Sequence, residues 1–192
     1  MSVREIAMVG HPVLRERAQE VTEDELRSPE LQRLINDMIE TMRDASGAGL
    51  AANQVHDLHR VAVIEVREGN PRYPYKPPIP LTVMVNPTIE PLGGDTAQIN
   101  EGCLSVPDLR GTLDRYVNVR VRYLDGGGEK HEEVHRGLTA GTFQHEVDHL
   151  DGILFLDRVR DPSTFSTWEQ FDRHHRDDFL ARARELEERV GR

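Results

Sequence analysis

The stretch His145-Glu146-Val147-Asp148-His149 places two histidines four residues apart, with a glutamate beside the first. On a helix, positions i and i+4 lie on one face, so both imidazoles can reach a single ion. Glu146 is rotated from His145 by about 100°, so it can face a water on that ion without binding the ion itself. We therefore predict a hydrolytic metal site on a helix that begins near Thr139 and is stopped by Gly152.

A catalytic ion of this kind needs a third protein ligand and an open position for water. The metzincin pattern would require a histidine where this chain has Phe155. A thermolysin-like protease would use a later glutamate such as Glu169, although an exposed glutamate on a charged helix is the commoner case. Cys103 can supply a soft thiolate, or it can be a small buried apolar residue, as most free cysteines are. These residue types alone leave the third ligand open.

Three segments, taken in chain order, carry a more specific pattern. They are Gly47-Ala48-Gly49-Leu50-Ala51-Ala52-Asn53-Gln54, then Glu101-Gly102-Cys103-Leu104-Ser105, then Gln144-His145-Glu146-Val147-Asp148-His149-Leu150-Asp151-Gly152. They match G-x-G-L-A-A-x-Q, E-G-C-L-S and Q-H-E-x-D-H-L-x-G, so the chain resembles a peptide deformylase from Ile6 to about Arg158. A chance match to all three motifs in this order is not a serious alternative.

The resemblance implies a metal-dependent hydrolase that removes the N-formyl group from N-formylmethionyl nascent peptides, a step of protein biosynthesis. It implies that the ion is Fe²⁺, with Zn²⁺, Ni²⁺ or Co²⁺ able to occupy the site. It also makes the three metal ligands Cys103, His145 and His149. The same fold acting on another N-formyl compound is the main alternative, and a metalloprotease is a weaker one.

The resemblance also assigns the catalytic groups. Glu146 would act as general base and then general acid, on the water that the ion activates and on the leaving amine. The Gln54 side-chain amide and the Leu104 backbone N–H would stabilise the oxyanion. An ion pair between Arg110 and Asp148 is implied near the site.

The expected substrate-binding residues surround these catalytic groups in sequence, and they are Ala48, Gly49, Gly102, Leu138, Gly141 and Thr142. Gly49 and Gly102 would let the backbone approach the substrate closely. Family members often carry larger aliphatic residues at the positions of Ala48 and Gly141. The pocket is therefore either roomier here or partly rebuilt by the proline-rich segment that follows Val66. We hypothesise that side chains larger than methionine are accepted.

The remaining pattern predicts an α+β fold, with mixed or antiparallel strands around the central histidine helix and a C-terminal helix. Ser28-Pro29 followed by apolar positions stepped by three and four predicts a helix ending near Asp44 to Gly47. Other expected elements are strands at Val61–Val66, Leu81–Val85 and Val117–Tyr123, a five-proline loop at Arg67–Pro80, a turn at Asp125–Gly128, and helix in Thr167–Val190. We take residues 1–160 as the catalytic domain and 161–192 as a charged helical extension of the same domain.

Composition limits location and partners. A formal net charge of −10 argues against DNA binding. No stretch approaches the roughly 18–20 apolar residues of a membrane span. The lone Cys103 and the lack of a signal-like pattern in Met1–Gly10 indicate the cytoplasm. From Thr167 onward there are six Arg, no Lys and seven acidic residues, which gives little support to the ribosome docking performed by a basic C-terminal helix in some relatives.

Overall fold

The fold is described by a computed structural model that covers residues 2–70 and 72–191. It is an α+β arrangement, as expected, and every pairing between its named strands is antiparallel. The helices are α1 (Glu23–Leu26), α2 (Pro29–Asp44), α3 (Gly137–Leu150), α4 (Phe155–Arg158), α5 (Trp168–His174) and α6 (Arg176–Val190). The strands are β1 (Gly49–Ala51), β2 (Val61–Val66), β3 (Ile79–Pro91), β4 (Thr96–Cys103), β5 (Val106–Tyr116), β6 (Asn118–Leu124) and β7 (Lys130–Arg136).

Helix α3 is the central element and carries the two histidines, as predicted. The larger sheet has the strand order β1-β2-β3-β6-β7, and β4 and β5 form a second, two-stranded sheet. α3 contacts strands of both sheets. It begins at Gly137, two residues before the predicted start, and Gly137 adopts a positive φ of 53° where the chain turns from β7 into the helix. Gly152 follows its end with φ 72°, and a Cβ there would lie 2.7 Å from the Arg15 carbonyl oxygen.

The elements predicted from apolar spacing are confirmed. α2 begins at Pro29, and the Ser28 hydroxyl accepts a hydrogen bond from the Leu31 N–H at 3.2 Å. Its apolar face packs on β1 and β2, and the helix ends at Asp44. The strand predicted at Leu81–Val85 is part of the longer β3, and the turn at Asp125–Gly128 joins the antiparallel pair β6 and β7.

The two-stranded sheet of β4 and β5 was not predicted. Several polar or charged side chains of these two strands are buried, among them Asn100, Glu101, Arg110 and Arg115. Strand prediction relies on alternation of apolar and polar residues. A strand whose buried positions are charged gives no such alternation, so the element that carries Cys103 and Glu101 was missed.

The C-terminal segment folds back over the domain as two helices. Phe171 of α5 and Phe179 of α6 are each 1% exposed and pack in one cluster with Ile99 and Leu138. The helical segment expected within Thr167–Val190 therefore lies on the body of the protein. Among the described residues, no helix has both the length and the apolar character needed to cross a bilayer.

Candidate metal centre

Three possible ligands converge from two elements. Cys103 lies at the end of β4, and His145 and His149 lie one turn apart on α3. Cys103 Sγ is 3.2 Å from His149 Nε2, and one ligand atom from each of the three residues lies within 4.8 Å of the others. One sulfur and two imidazole nitrogens form a donor set that late first-row divalent metals accept. The residues present therefore fit a divalent ion with a fourth position left for water or substrate.

The orientation of His145 is set by a buried carboxylate. Glu101 Oε2 lies 2.8 Å from His145 Nδ1, which leaves Nε2 of that ring to face the ion. Arg115 donates to both oxygens of Glu101, at 2.8 and 2.9 Å. Although burial opposes ionisation, Arg115 and His145 hold the pKa of Glu101 well below its usual range. Glu101 therefore stays ionised and keeps His145 in the orientation that metal binding needs.

The three ligands also favour a charged thiolate. Burial alone would raise the pKa of Cys103, but His149 and His145 lower it well below its ordinary value. Burial disfavours the charged form of His145, yet its hydrogen bonds to Cys103 and Glu101 raise its pKa to about 10. The side chains thus place a buried thiolate against positive charge. A divalent ion can replace those imidazole protons and satisfy the same thiolate.

Glu146 lies beside the three ligands and is free to act on a water. It is 4% exposed, and its Oε2 has no hydrogen-bond partner in the described part of the chain. Burial raises the pKa of this carboxyl, and the neighbouring histidines offset part of that rise. A carboxylate with a raised pKa, unpaired and next to a metal position, is suited to accept and return a proton near neutral pH.

Gly49 provides the space that Glu146 occupies. A Cβ at Gly49 would lie 2.4 Å from Glu146 Oε1, so Gly49→Ala must displace that carboxylate. We expect kcat to fall by up to about 100-fold, since displacements of about 1 Å can cost that much, with metal content unchanged. Gly94→Ala is the matched control, because a Cβ there meets nothing within 4 Å. Equal kcat values in the two variants would show that the position of Glu146 does not matter.

The predicted oxyanion donors lie in the same pocket. Gln54 Oε1 accepts from the Ala51 N–H at 2.9 Å, and Nε2 donates to Ser105 Oγ at 3.0 Å and lies 3.5 Å from Cys103 Sγ. The amide N–H₂ group therefore points toward the ligand cluster. Leu104, between Cys103 and Ser105, also lines the pocket. Ser105 is a residue whose role in holding Gln54 was not predicted, since a lone serine carries no such signal in sequence.

The prediction of an ion pair between Arg110 and Asp148 is wrong. Asp148 pairs with Arg115 and Arg158, whereas Arg110 donates to Asn100 at 2.6 Å and to the Tyr75 hydroxyl at 2.9 Å. Arg110 and Arg115 are five positions apart on β5. Side chains alternate between the two faces of a strand, so these two arginines project in opposite directions.

Arg115 bridges the carboxylates of Glu101 and Asp148 and is 2% exposed. Arg115→Met would leave both carboxylates buried without that partner. We expect the free energy of unfolding to fall by about 3–5 kcal/mol, the usual cost of breaking a buried pair. Urea unfolding of metal-free protein measures it. Arg122→Met, which removes an exposed ion-pairing arginine, should change stability little; an equally small effect for Arg115 would contradict the bridging role.

Two segments that lie outside the three motifs also line the cavity beside the ligands. All of the expected substrate-binding residues, from Ala48 to Thr142, line one cavity beside the ligands. The proline-rich loop adds Tyr73, Tyr75 and Lys76 to that lining, and α6 adds Phe179. Ile99 Cδ1 lies 2.9 Å from the position that a Cβ of Gly141 would take. The proline-rich loop therefore contributes to this cavity, which was one of the two arrangements considered from sequence.

The ligands required by the two protease classes are absent from this site. Glu169 is exposed on α5, pairs with Arg173 at 3.2 Å and is not part of the cluster of candidate ligands. Phe155 is buried in the apolar cluster that contains Cys103. The geometry therefore makes Cys103 the third candidate donor.

Comparisons with known proteins find relatives over most of the chain. A family model described as Polypeptide deformylase matches residues 3–165. A "Peptide deformylase" of Leptospira biflexa is 40% identical over 172 residues, which is 90% of this chain and 96% of that protein. "Peptide deformylase 1" of Corynebacterium glutamicum is 46% identical, with 85% of this chain and 90% of that protein covered. The Met-Ala-Ser-bound structure of a class I type b peptide deformylase from Acinetobacter baumannii superposes with a TM-score of 0.78 at 43% identity, covering 83% of this chain and 100% of that one.

Proposed function

This chain belongs to the polypeptide deformylase family, and from that premise we propose that Cys103, His145 and His149 hold its catalytic ion while Glu146 transfers the proton. It is a metal-dependent hydrolase that removes the N-formyl group from nascent peptides. The observation that carries the residue assignment is the convergence of one thiol and two imidazoles beside an unpaired buried carboxylate.

Each proposed residue has a defined task at the formyl group. The bound ion supplies Lewis acidity toward the formyl oxygen and the water. Glu146 takes a proton from the attacking water and gives it to the amine nitrogen as the C–N bond breaks. The Gln54 amide and the Leu104 N–H donate to the formyl oxygen as it becomes negative. Glu101 and Arg115 keep His145 oriented throughout.

We propose Fe²⁺ as the ion, in a cytoplasmic enzyme. The family resemblance supports iron, and the single-thiolate donor set also accommodates Zn²⁺, Ni²⁺ or Co²⁺. A reducing compartment suits a thiolate with a depressed pKa and no other cysteine to pair with. We also propose that residues 161–192 belong to one folding unit with 1–160, because Phe171 and Phe179 pack on Ile99 and Leu138. The acidic balance after Thr167 gives no support to ribosome docking through this segment.

The test is formate release from formyl-Met-Ala-Ser by protein purified without oxygen, with metal analysis of the same sample. We expect turnover in proportion to bound ion and its loss after chelation. If protein loaded with Fe²⁺, Zn²⁺, Ni²⁺ or Co²⁺ in turn released no formate, the proposed site would be wrong. The acceptance of side chains larger than methionine stays a prediction, checked by varying the first residue of the same peptide.

A further inference from the structure

A lysine side chain reaches into the substrate pocket from the proline-rich loop. Lys76 Nζ donates to Thr142 Oγ1 at 2.9 Å and lies 4.8 Å from the centre of the Tyr73 ring. The Thr142 hydroxyl in turn donates to the Leu138 carbonyl oxygen at 3.2 Å. Within the described residues, no carboxylate lies within the 4.0 Å of Nζ that an ion pair requires. The ammonium group thus has one hydrogen-bond acceptor and an aromatic face but no anion.

A cation in this position is costly unless something compensates it. Burial disfavours its charged form and lowers the pKa of Lys76 to about 8, with Glu101 and Glu146 offsetting part of that effect. Lys76 is half-buried, and a charge withdrawn from water without a paired anion destabilises a fold. A charged group that is partly withdrawn from water inside a pocket, without a paired anion, is typical of a site that binds a ligand.

A second cation near the pocket, Arg110, also has no carboxylate partner among the residues that the structure describes. Arg110 is fully buried, and it donates to Asn100 and to the Tyr75 hydroxyl. Its Nη1 has no partner in the described part of the chain, and its guanidinium lies 4.0 Å from the Trp168 ring centre. Asn100 and Tyr75 line the same cavity as Lys76. The pocket therefore combines an apolar wall, formed by Ile99 and Leu138, with an ammonium group whose charge Glu101 and Glu146 offset only in part.

We propose that Lys76 determines specificity by donating to the first side chain of the formylated substrate, so that the pocket accepts side chains ending in a carboxylate or carboxamide as well as methionine. This inference rests on the proposed function of the site. A methionine thioether is only a weak acceptor, and it cannot compensate the ammonium. A glutamate or glutamine side chain has nearly the same reach and supplies the oxygen that Lys76 lacks.

The test uses four peptides, formyl-Xaa-Ala-Ser with norleucine, methionine, glutamine or glutamate as Xaa. For the metal-loaded wild-type enzyme we expect kcat/KM on the glutamine and glutamate peptides to lie within about 10-fold of the norleucine value. In Lys76→Met we expect the glutamate peptide to lose about 10- to 100-fold, the usual range for a hydrogen bond to a charged group. The glutamine peptide should lose less, and the norleucine peptide should be unchanged or improved.

Lys130→Met is the matched control, because Lys130 is the other lysine of the chain and is exposed at the start of β7. It should leave all four values unchanged. An equal loss on every peptide in Lys76→Met would make Lys76 a packing residue and overturn the inference. Wild-type enzyme that cleaves the glutamine and glutamate peptides over 100-fold more slowly than the norleucine peptide would overturn it without any variant. Absence of formate release from the methionine peptide would instead defeat the proposed function itself.

Discussion

Replacing Glu146 with glutamine is expected to lower kcat about 10²- to 10⁴-fold, the usual contribution of a general acid–base group, while metal content stays at the wild-type level. The amide keeps the size of the side chain, so it still fits against Gly49. It cannot accept a proton from water at neutral pH. Because Glu146 is not one of the three converging donors, the ion should remain. The measurement is kcat on formyl-Met-Ala-Ser with metal analysis of the same sample.

Glu169→Gln is the control for this experiment. Glu169 is the other glutamate considered from sequence, and it is exposed on α5 in an ion pair with Arg173. It should retain wild-type kcat. Near-normal kcat in Glu146→Gln would refute the proton-transfer role, whereas loss of metal in that variant would indicate that Glu146 helps to bind the ion.

Cys103→Ser is expected to weaken metal binding by about 100-fold or more, because loss of an outer partner alone typically costs 10- to 100-fold. A serine hydroxyl at neutral pH lacks the negative charge of the thiolate and is a poorer ligand for late first-row metals. His145 and His149 would then hold the ion alone. Competition with a chelator of known affinity measures the change.

Ser105→Ala is the matched control for Cys103→Ser. Ser105 is buried in the same segment but contacts Gln54 rather than the ion position. It should leave metal affinity unchanged and reduce turnover, because the Gln54 amide loses the acceptor that orients it. Unchanged metal content in Cys103→Ser would mean that the third ligand lies elsewhere.

Spacing along one helix was sufficient to predict much of the candidate site. The pair His145 and His149 depends only on the helical period, and Ser28-Pro29 and Gly152 mark helix ends by local backbone preference. The motif around Cys103 suggested the third ligand only through family resemblance. The strand that carries Cys103 was missed because its buried positions hold polar side chains such as Asn100 and Glu101.

Contacts between distant segments were the ones that sequence did not predict correctly. Arg110 was expected to pair with Asp148, but the alternation of side chains along β5 gives that partner to Arg115. For the cavity beside the ligands, the sequence indicated only that the residues at positions 48 and 141, Ala48 and Gly141, are small. The structure shows that side chains from the loop after β2 and from α6 also line this cavity.

The sequence by itself determined the family, the fold class and the metal-binding motif, because those depend on local periodicity and on short ordered patterns. Only the tertiary structure decided which charged and polar side chains contact one another. Lys76 and Thr142 are 66 residues apart and hydrogen-bond in the pocket, and Glu101 and His145 are 44 apart. Such pairs depend on how loops cross the packed strands and on which face each side chain takes. The chemistry of the pocket is therefore a property of packing and not of any single motif.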